Sequence, residues 1–159
     1  MDKLLNLLSE NARFTDKQLA TMLEMSEGEV KAEIADYEKK GIINGYHALI
    51  NWQNVDPQYV SAIIEVKVSP KRDHGFDEIA RKIMEFPEVE SVYLMSGGYD
   101  LAITVSGRSF IEVAMFVSKR LSPLDSVLST ATHFVLKRYK DMGVKMHYEA
   151  DDERGNISL

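Results

Sequence analysis

The sequence contains no cysteine. Disulfides, thiol nucleophiles and cysteine zinc sites are therefore excluded. It has no apolar run near the roughly 18 residues that a membrane-spanning helix needs. Its first residues, MDKLLNLLSENARF, lack a basic start, a long apolar stretch and a small-residue cleavage site. No signal peptide and no membrane partner are expected, and the protein is expected in the cytoplasm. Excess positive charge is missing as well. The formal net charge is −6, which weighs against nonspecific binding to nucleic acid, although local patches govern contact. The front of the chain is no exception. Residues 1–45 carry six cations (Lys3, Arg13, Lys17, Lys31, Lys39, Lys40) against nine acidic residues.

Catalytic and cofactor motifs are absent too. The four histidines (His47, His74, His133, His147) do not stand at metal-ligand spacing. There is no HExxH, GxSxG, Walker loop or GxGxxG fingerprint. No nucleophile, base and orienting group can be nominated together. An enzyme is not expected, and neither is a cofactor.

What is present is apolar material arranged with two different periods. The 159 residues are 45% hydrophobic, enough for one large domain or two small ones. The first segment has helical spacing. Leu4, Leu5, Leu7 and Leu8 form one stripe. Thr15 with Gln18 is a capping-box pattern, and Leu19, Ala20 and Leu23 follow on one side. Glu24 and Met25 form a tight turn. Ser26 with Glu29 is a second capping box, and Val30, Ile34 and Tyr37 recur at i, i+4, i+7. Gly41 is placed to end that helix. Two capped helices joined by a short turn are the helix-turn-helix signature, although an ordinary helical hairpin has the same spacing.

From Ile42 to Trp52 the residues turn extended in character. Asn51–Gln58 is polar, contains Pro57 and reads as a hinge. The second segment then alternates. Strands are expected at Tyr59–Ser69, Glu88–Ser96, Tyr99–Gly107 and Ser126–Lys140. Helices are expected at His74–Phe86, with Phe76, Ile79, Ala80 and Ile83 inward, and at Ser109–Leu121, with Phe110, Val113, Ala114 and Val117 inward. The order βαββαβ is the ferredoxin-like arrangement. Both helices would cover one face of an antiparallel sheet. The other face needs a cover, and a second copy supplies one by symmetry. A short extended piece, Val144–Tyr148, precedes a charged tail. The expected fold class is α+β, a winged-type helix-turn-helix domain (1–45), a strand and hinge linker (46–58), a ferredoxin-like domain (59–148) and a flexible tail (149–159).

One loop carries suitable chemistry for a ligand. In SGGYDLAI, Gly97 and Gly98 either make a hairpin turn, using positive φ, or free backbone N–H groups for a carboxylate. Asp100 could receive an ammonium group. An amino acid offers both charges. Thr130 and Thr132 share one face of the last strand, which a polar sheet face explains equally well.

These pieces in this order resemble the leucine-responsive regulatory protein/AsnC family of transcription regulators. The resemblance rests on LLNLLSENARFTDKQLATMLEMSEGEVKAEIADYEKKGIINGYHALIN, GGYDLAITV and VLSTATHFVLK, and covers about Leu4 to Lys140. It implies a DNA-binding helix-turn-helix joined to a domain that senses an amino acid and forms dimers, which often assemble into octamers. By the resemblance, Gly97, Gly98, Tyr99, Asp100, Thr130 and Thr132 border the effector site. The family usually has arginine at Glu33, leucine at Tyr37 and glycine at Ser126.

In a helix-turn-helix the second helix inserts its first turns into the major groove. Ser26, Glu27, Gly28, Lys31 and Ala32 would stand there, with Arg13, Lys17, Lys39 and Lys40 on phosphates. The helix is acidic, however, carrying Glu27, Glu29, Glu33, Asp36 and Glu38. A ligand-binding or assembly protein that has lost its DNA role is the competing reading. The orientation of Glu33 separates the two.

Overall fold

The computed structural model describes residues 2–69 and 75–147. The chain divides into two compact units, Met1–Ala48 and Leu49–Leu159. His74, Tyr148 and the expected tail 149–159 lie outside the described residues.

In the first unit every helix begins on a side-chain cap. Asp2 accepts the Leu5 backbone N–H at the start of α1, Lys3–Glu10. Both expected capping boxes form, Thr15 with Gln18 on α2 (Asp16–Leu23) and Ser26 with Glu29 on α3 (Glu27–Lys39). Such caps satisfy N–H groups that the helix itself leaves unpaired. Glu24 ends α2 in the left-handed conformation, at φ 56°. Gly41, at φ +66°, ends α3. There the Ile42 N–H bonds to the Tyr37 carbonyl at 2.9 Å and the Gly41 N–H to the Glu38 carbonyl at 3.1 Å. That pair is the Schellman closure, which places a left-handed residue where glycine is least strained. Leu4, Leu19, Ala20 and Val30 form the buried centre, with Phe14, Leu23, Ile34 and Tyr37 packed around it. Burying a leucine completely contributes roughly 1.5–3 kcal/mol, so Leu19 is a main fastening of α2 against α3.

The expected strand after α3 is not paired. Residues 44–50 have no ladder bonds, and Trp52–Asn54 is a 3₁₀ turn rather than extended chain. A strand needs a neighbour for its N–H and C=O groups, and the described residues of this unit supply none.

The second unit is a four-stranded sheet. Its strands are β1 (Val60–Val68), β2 (Val89–Leu94), β3 (Leu101–Gly107) and β4 (Val127–Phe134). The order is β2-β3-β1-β4 and every pairing is antiparallel. Helices α4 (Asp77–Met84) and α5 (Phe110–Phe116) pack on one face over Val60, Ala62, Ile64, Val66, Leu101, Ile103 and Val105. Ile79 and Ile83 are inward, as the spacing predicts. On α5 the inward residues are Val113 and Phe116, whereas Phe110 and Ala114 are exposed. After Phe116 the helix widens into a π turn, Val117–Leu121, closed by the Ser122 N–H on the Val117 carbonyl at 2.8 Å. This rotates Leu121 into the core. The last strand is shorter than expected and stops at Phe134. A small hairpin follows, β5 (Lys140–Asp141) with β6 (Val144–Lys145), turning at Met142 and Gly143, both with positive φ.

The uncovered face of the sheet carries Ile63, Glu65 and Lys67 from β1, Ala102 and Thr104 from β3, Tyr93 from β2, and Ala131 and His133 from β4. The registers and the two-residue alternation put them on one side. Glu65 and His133 approach to 3.4 Å there.

Candidate nucleic-acid interface and ligand loop

Helix α3 buries Val30 and half-buries Ile34 and Tyr37. Its opposite side follows from the 3.6-residue period: Gly28, Ala32, Ala35 and Lys39, all exposed. Three of these four are glycine or alanine. The solvent ridge of the helix is therefore low and carries one cation and no anion. Gly28 and Ala32 are among the residues expected at the groove, and Lys39 among those expected on phosphates; Ala35 is an addition. Its signal in the sequence was the same period that located Val30, read half a turn round.

Four of the five acidic side chains of α3 are used within the unit. Glu29 accepts from the Ser26 N–H (2.8 Å) and the Ser26 hydroxyl (2.7 Å). These bonds, the backbone one first, hold its carboxyl below the ordinary value. Glu33 accepts from the Tyr37 hydroxyl at 2.7 Å. Asp36 pairs with Lys40 at 2.6 Å. Glu38 accepts from the Tyr46 hydroxyl at 3.1 Å, and burial followed by this bond pushes the Tyr46 phenol up. Glu27 alone has no partner among the described residues. The Tyr37 hydroxyl also reaches Asp2 Oδ2 at 2.5 Å. Glu33 thus stands beside the start of α1, on the flank of the buried side. The Tyr37 phenol is pushed up by the Asp2 and Glu33 carboxylates together. Asp2 is held down, first by Tyr37 and then by the Leu5 N–H.

The remaining expected DNA-facing residues are exposed. Lys31 lies 3.7 Å from Asp16, an exposed pair worth at most about 1 kcal/mol. It is released at little cost. Arg13 and Lys17 have no ion pair among the described residues. Ser26 differs from the expectation in one respect: its hydroxyl proton goes to Glu29. The carboxylate of Glu29 takes the place a phosphate would occupy on that hydroxyl.

The loop Ser96–Asp100 joins β2 to β3. The Met95 N–H bonds to the Asp100 carbonyl at 2.8 Å, and the Asp100 N–H to the Val66 carbonyl at 3.0 Å. Asp100 Oδ2 accepts the Val68 N–H at 2.9 Å, where β1 shifts register against β4. One carboxylate oxygen is thereby committed to backbone. Gly97 and Gly98 do not have positive φ, so the turn itself does not require glycine. A Cβ on either would meet nothing within 4 Å. Thr130 pairs with Val66 and Thr132 with Ile64. Both therefore share a face, and it is the helix-covered one. The Thr130 hydroxyl lies 3.4 Å from that of Ser122. With β1 between them, the base of the loop and Thr130 stand about 10 Å apart at the same end of the sheet. Thr132 is one pleat further in. Among the described residues no group of side chains is placed to hold a metal ion, and no helix is long and apolar enough to cross a membrane.

Comparison with known proteins connects the two units. The Lrp/AsnC ligand binding domain matches residues 61–144. The chain is 49% identical to YugG of Bacillus subtilis, described as an uncharacterized HTH-type transcriptional regulator, over 98% of this chain and 95% of that one. It is 31% identical to the HTH-type transcriptional regulator Ptr1 of Methanocaldococcus jannaschii, over 91% and 94%. Among solved structures it is similar to the transcriptional regulator NMB0573 of Neisseria meningitidis in complex with L-methionine. There the TM-score is 0.72 at 26% identity, covering 89% of this chain and 93% of the other. The chain therefore belongs to the Lrp/AsnC family of helix-turn-helix transcription regulators.

Proposed function

We propose that α3 reads operator DNA with its Gly28–Ala32–Ala35–Lys39 ridge and that an amino acid at the Gly97–Asp100 loop modulates this binding. The observation that carries the DNA reading is the engagement of Glu29, Glu33, Asp36 and Glu38 inside the first unit. The acidity of the helix is spent on its own fold. What remains toward solvent is small side chains, which admit close approach and touch thymine methyl groups, with Glu27 able to accept from cytosine. Lys31, Lys39, Arg13 and Lys17 supply phosphate contacts. These are few, so affinity depends on several half-sites being engaged at once. In this reading residues 1–45 are the DNA-binding domain and residues 59–148 the sensing and assembly domain, with 46–58 as linker.

The sensing role is supported by the loop geometry. Gly97 and Gly98 are exposed, have ordinary φ and have open space at Cβ. A ligand or neighbouring chain approaching the backbone accounts for them; the fold of the single chain does not. Asp100 keeps its second oxygen for an ammonium group, and the methionine complex of the Neisseria relative is consistent with such a ligand. In the same reading the uncovered sheet face pairs with a second copy in a dimer, the unit from which larger rings are built.

The test is fluorescence anisotropy on DNA upstream of the protein's own gene, at about 50 mM salt, where phosphate contacts are strongest. Binding should exceed that to random DNA. Ala32→Glu, on the exposed ridge, should cut operator affinity at least tenfold and leave the helical circular dichroism unchanged. Equal affinity for random DNA, or an unaffected A32E variant, would remove α3 as the reader.

A further inference from the structure

The second unit holds a groove of about 420 Å³ far from the loop just described. It lies where β1 begins. Val60 and Arg108 line it, and Val60 pairs with Gly107, whereas the Asp100 loop meets β1 at Val66. Six residues of strand separate the two places, about 20 Å. The volume is in the range of small-molecule sites.

The chemistry of the walls is specific. Pro57, Val60, Phe110, Val135 and Leu136 give the apolar part of the lining, and Gln53, Gln58 and Ser109 add neutral polar groups. Phe110 is held in place by an edge-on contact with Phe134, their centroids 4.8 Å apart. Leu136 is 83% exposed, an apolar surface that gains from being covered. Among the described residues Arg108 is the one charged side chain in the lining, and no acidic residue shares it. The nearby carboxylate of Glu112 is engaged by the Arg108 backbone N–H at 2.5 Å. The Arg108 guanidinium has no partner among the described residues. A protein with net charge −6 thus keeps a partly apolar groove whose one charged side chain, among the described residues, is positive.

We propose that this groove is a second ligand site, for a small apolar monocarboxylate. The carboxylate would meet the Arg108 guanidinium, a planar donor suited to two parallel bonds. The hydrocarbon part would lie against Phe110, Val135 and Leu136. A free amino acid suits the groove less well, because its ammonium group would find only the neutral acceptors Gln53, Gln58 and Ser109 and no carboxylate among the described lining residues. The corresponding 2-oxo acid has the same side chain and carboxylate without that cation. The protein would then distinguish an amino acid, at Asp100, from its deaminated counterpart, at Arg108. The enzymes connecting the two ligands would be of the class that exchanges an amino group for a carbonyl.

The proposal stands apart from the amino-acid reading of the Asp100 loop and is tested apart from it. Isothermal titration calorimetry of the full chain with 4-methyl-2-oxopentanoate and phenylpyruvate is the primary measurement, with leucine and phenylalanine alongside. Saturable binding of an oxo acid is expected. Arg108→Gln should weaken it at least tenfold, and Leu136→Glu, which sets an anion against the ligand's hydrocarbon part, should do the same. Both positions are exposed, so circular dichroism should be unchanged. Gly98→Thr, in the other loop, should leave oxo-acid binding intact. No binding of either oxo acid overturns the proposal, as does wild-type binding by Arg108→Gln. Loss of binding in Gly98→Thr would place the oxo acid in the Asp100 site and overturn it equally. A change in molecular mass on Leu136→Glu without oxo-acid binding would give the groove to a second copy of the chain.

Discussion

Tyr37 has one hydroxyl proton and two carboxylates within reach, Asp2 at 2.5 Å and Glu33 at 2.7 Å. It donates to one at a time, and the Asp2 carboxylate is stabilised in its charged form. This single side chain settles which way Glu33 points. An arginine at position 33 would stand beside Asp2 and add little to the exposed Gly28–Ala32–Ala35–Lys39 ridge. Glu33→Arg is therefore expected to change operator affinity by less than about threefold, measured by anisotropy at a salt concentration where phosphate contacts are partly screened. A large specific gain would mean that position 33 meets the bases. The same cluster sets a pH dependence. Asp2 is held below its ordinary 3.8, so the stability it contributes is present above that value and is lost as the pH falls through the lowered one. Tyr37→Phe removes the main cause. The variant should be less stable than the parent at pH 7, and the difference should close as the pH drops below 3.8, by urea melts followed through the helical signal. A gap that persists in acid would assign the role of Tyr37 to packing alone.

At the level of elements, much was legible because the signals are local. Thr15 with Gln18 and Ser26 with Glu29 predicted two helix starts, and both boxes form. Gly41 predicted an end, and the Schellman bonds are there. Strand and helix order in the second unit followed from alternation. What escaped was set by tertiary packing. The π turn at Val117–Leu121 follows α5 and carries Leu121 into the core, while Ala114, on the regular helix before it, is exposed. Nothing in the apolar spacing marks that extra residue. Gly97 and Gly98 promised positive φ and do not use it, since glycine permits a conformation without demanding it. Thr130 and Thr132 were rightly placed on one face, but alternation alone does not say which face. The Ser26 cap gives an element-scale test. Ser26→Ala should cost about 1 kcal/mol, read as roughly a fivefold loss of hydrogen-exchange protection in α3. Amides of β1 and β3, in the other unit, should keep theirs. Unchanged protection in α3 would mean that Glu29 caps the helix unaided.

At the scale of the whole molecule the open sheet face is the unanswered surface. An antiparallel sheet commonly leaves one face to water, and then that face is polar. This one is mixed. Glu65, Lys67 and His133 are present, but Ile63, Ala102, Ala131 and Tyr93 share the side with them. Ala102 and Ala131 flank Glu65 on the two neighbouring strands. Small side chains there leave the surface low enough for a second sheet to approach. A two-fold copy would set like rows against each other, so each polar group must find its partner across the symmetry axis. The Glu65–His133 approach at 3.4 Å supplies a donor and an acceptor already side by side. Ile63 is 45% exposed and pairs with Thr104 and His133. It contributes nothing to the helix-side core, which lies on the alternate residues Ala62 and Ile64. Ile63→Asp therefore separates assembly from folding. If the face is the dimer interface, the variant should sediment with the mass of a single chain at micromolar concentration, where the parent has at least twice that mass. Its melting behaviour should remain cooperative. Operator affinity should fall together with the mass, because isolated subunits engage one half-site. A variant that keeps the parent's mass would show that this face is not what holds the copies together.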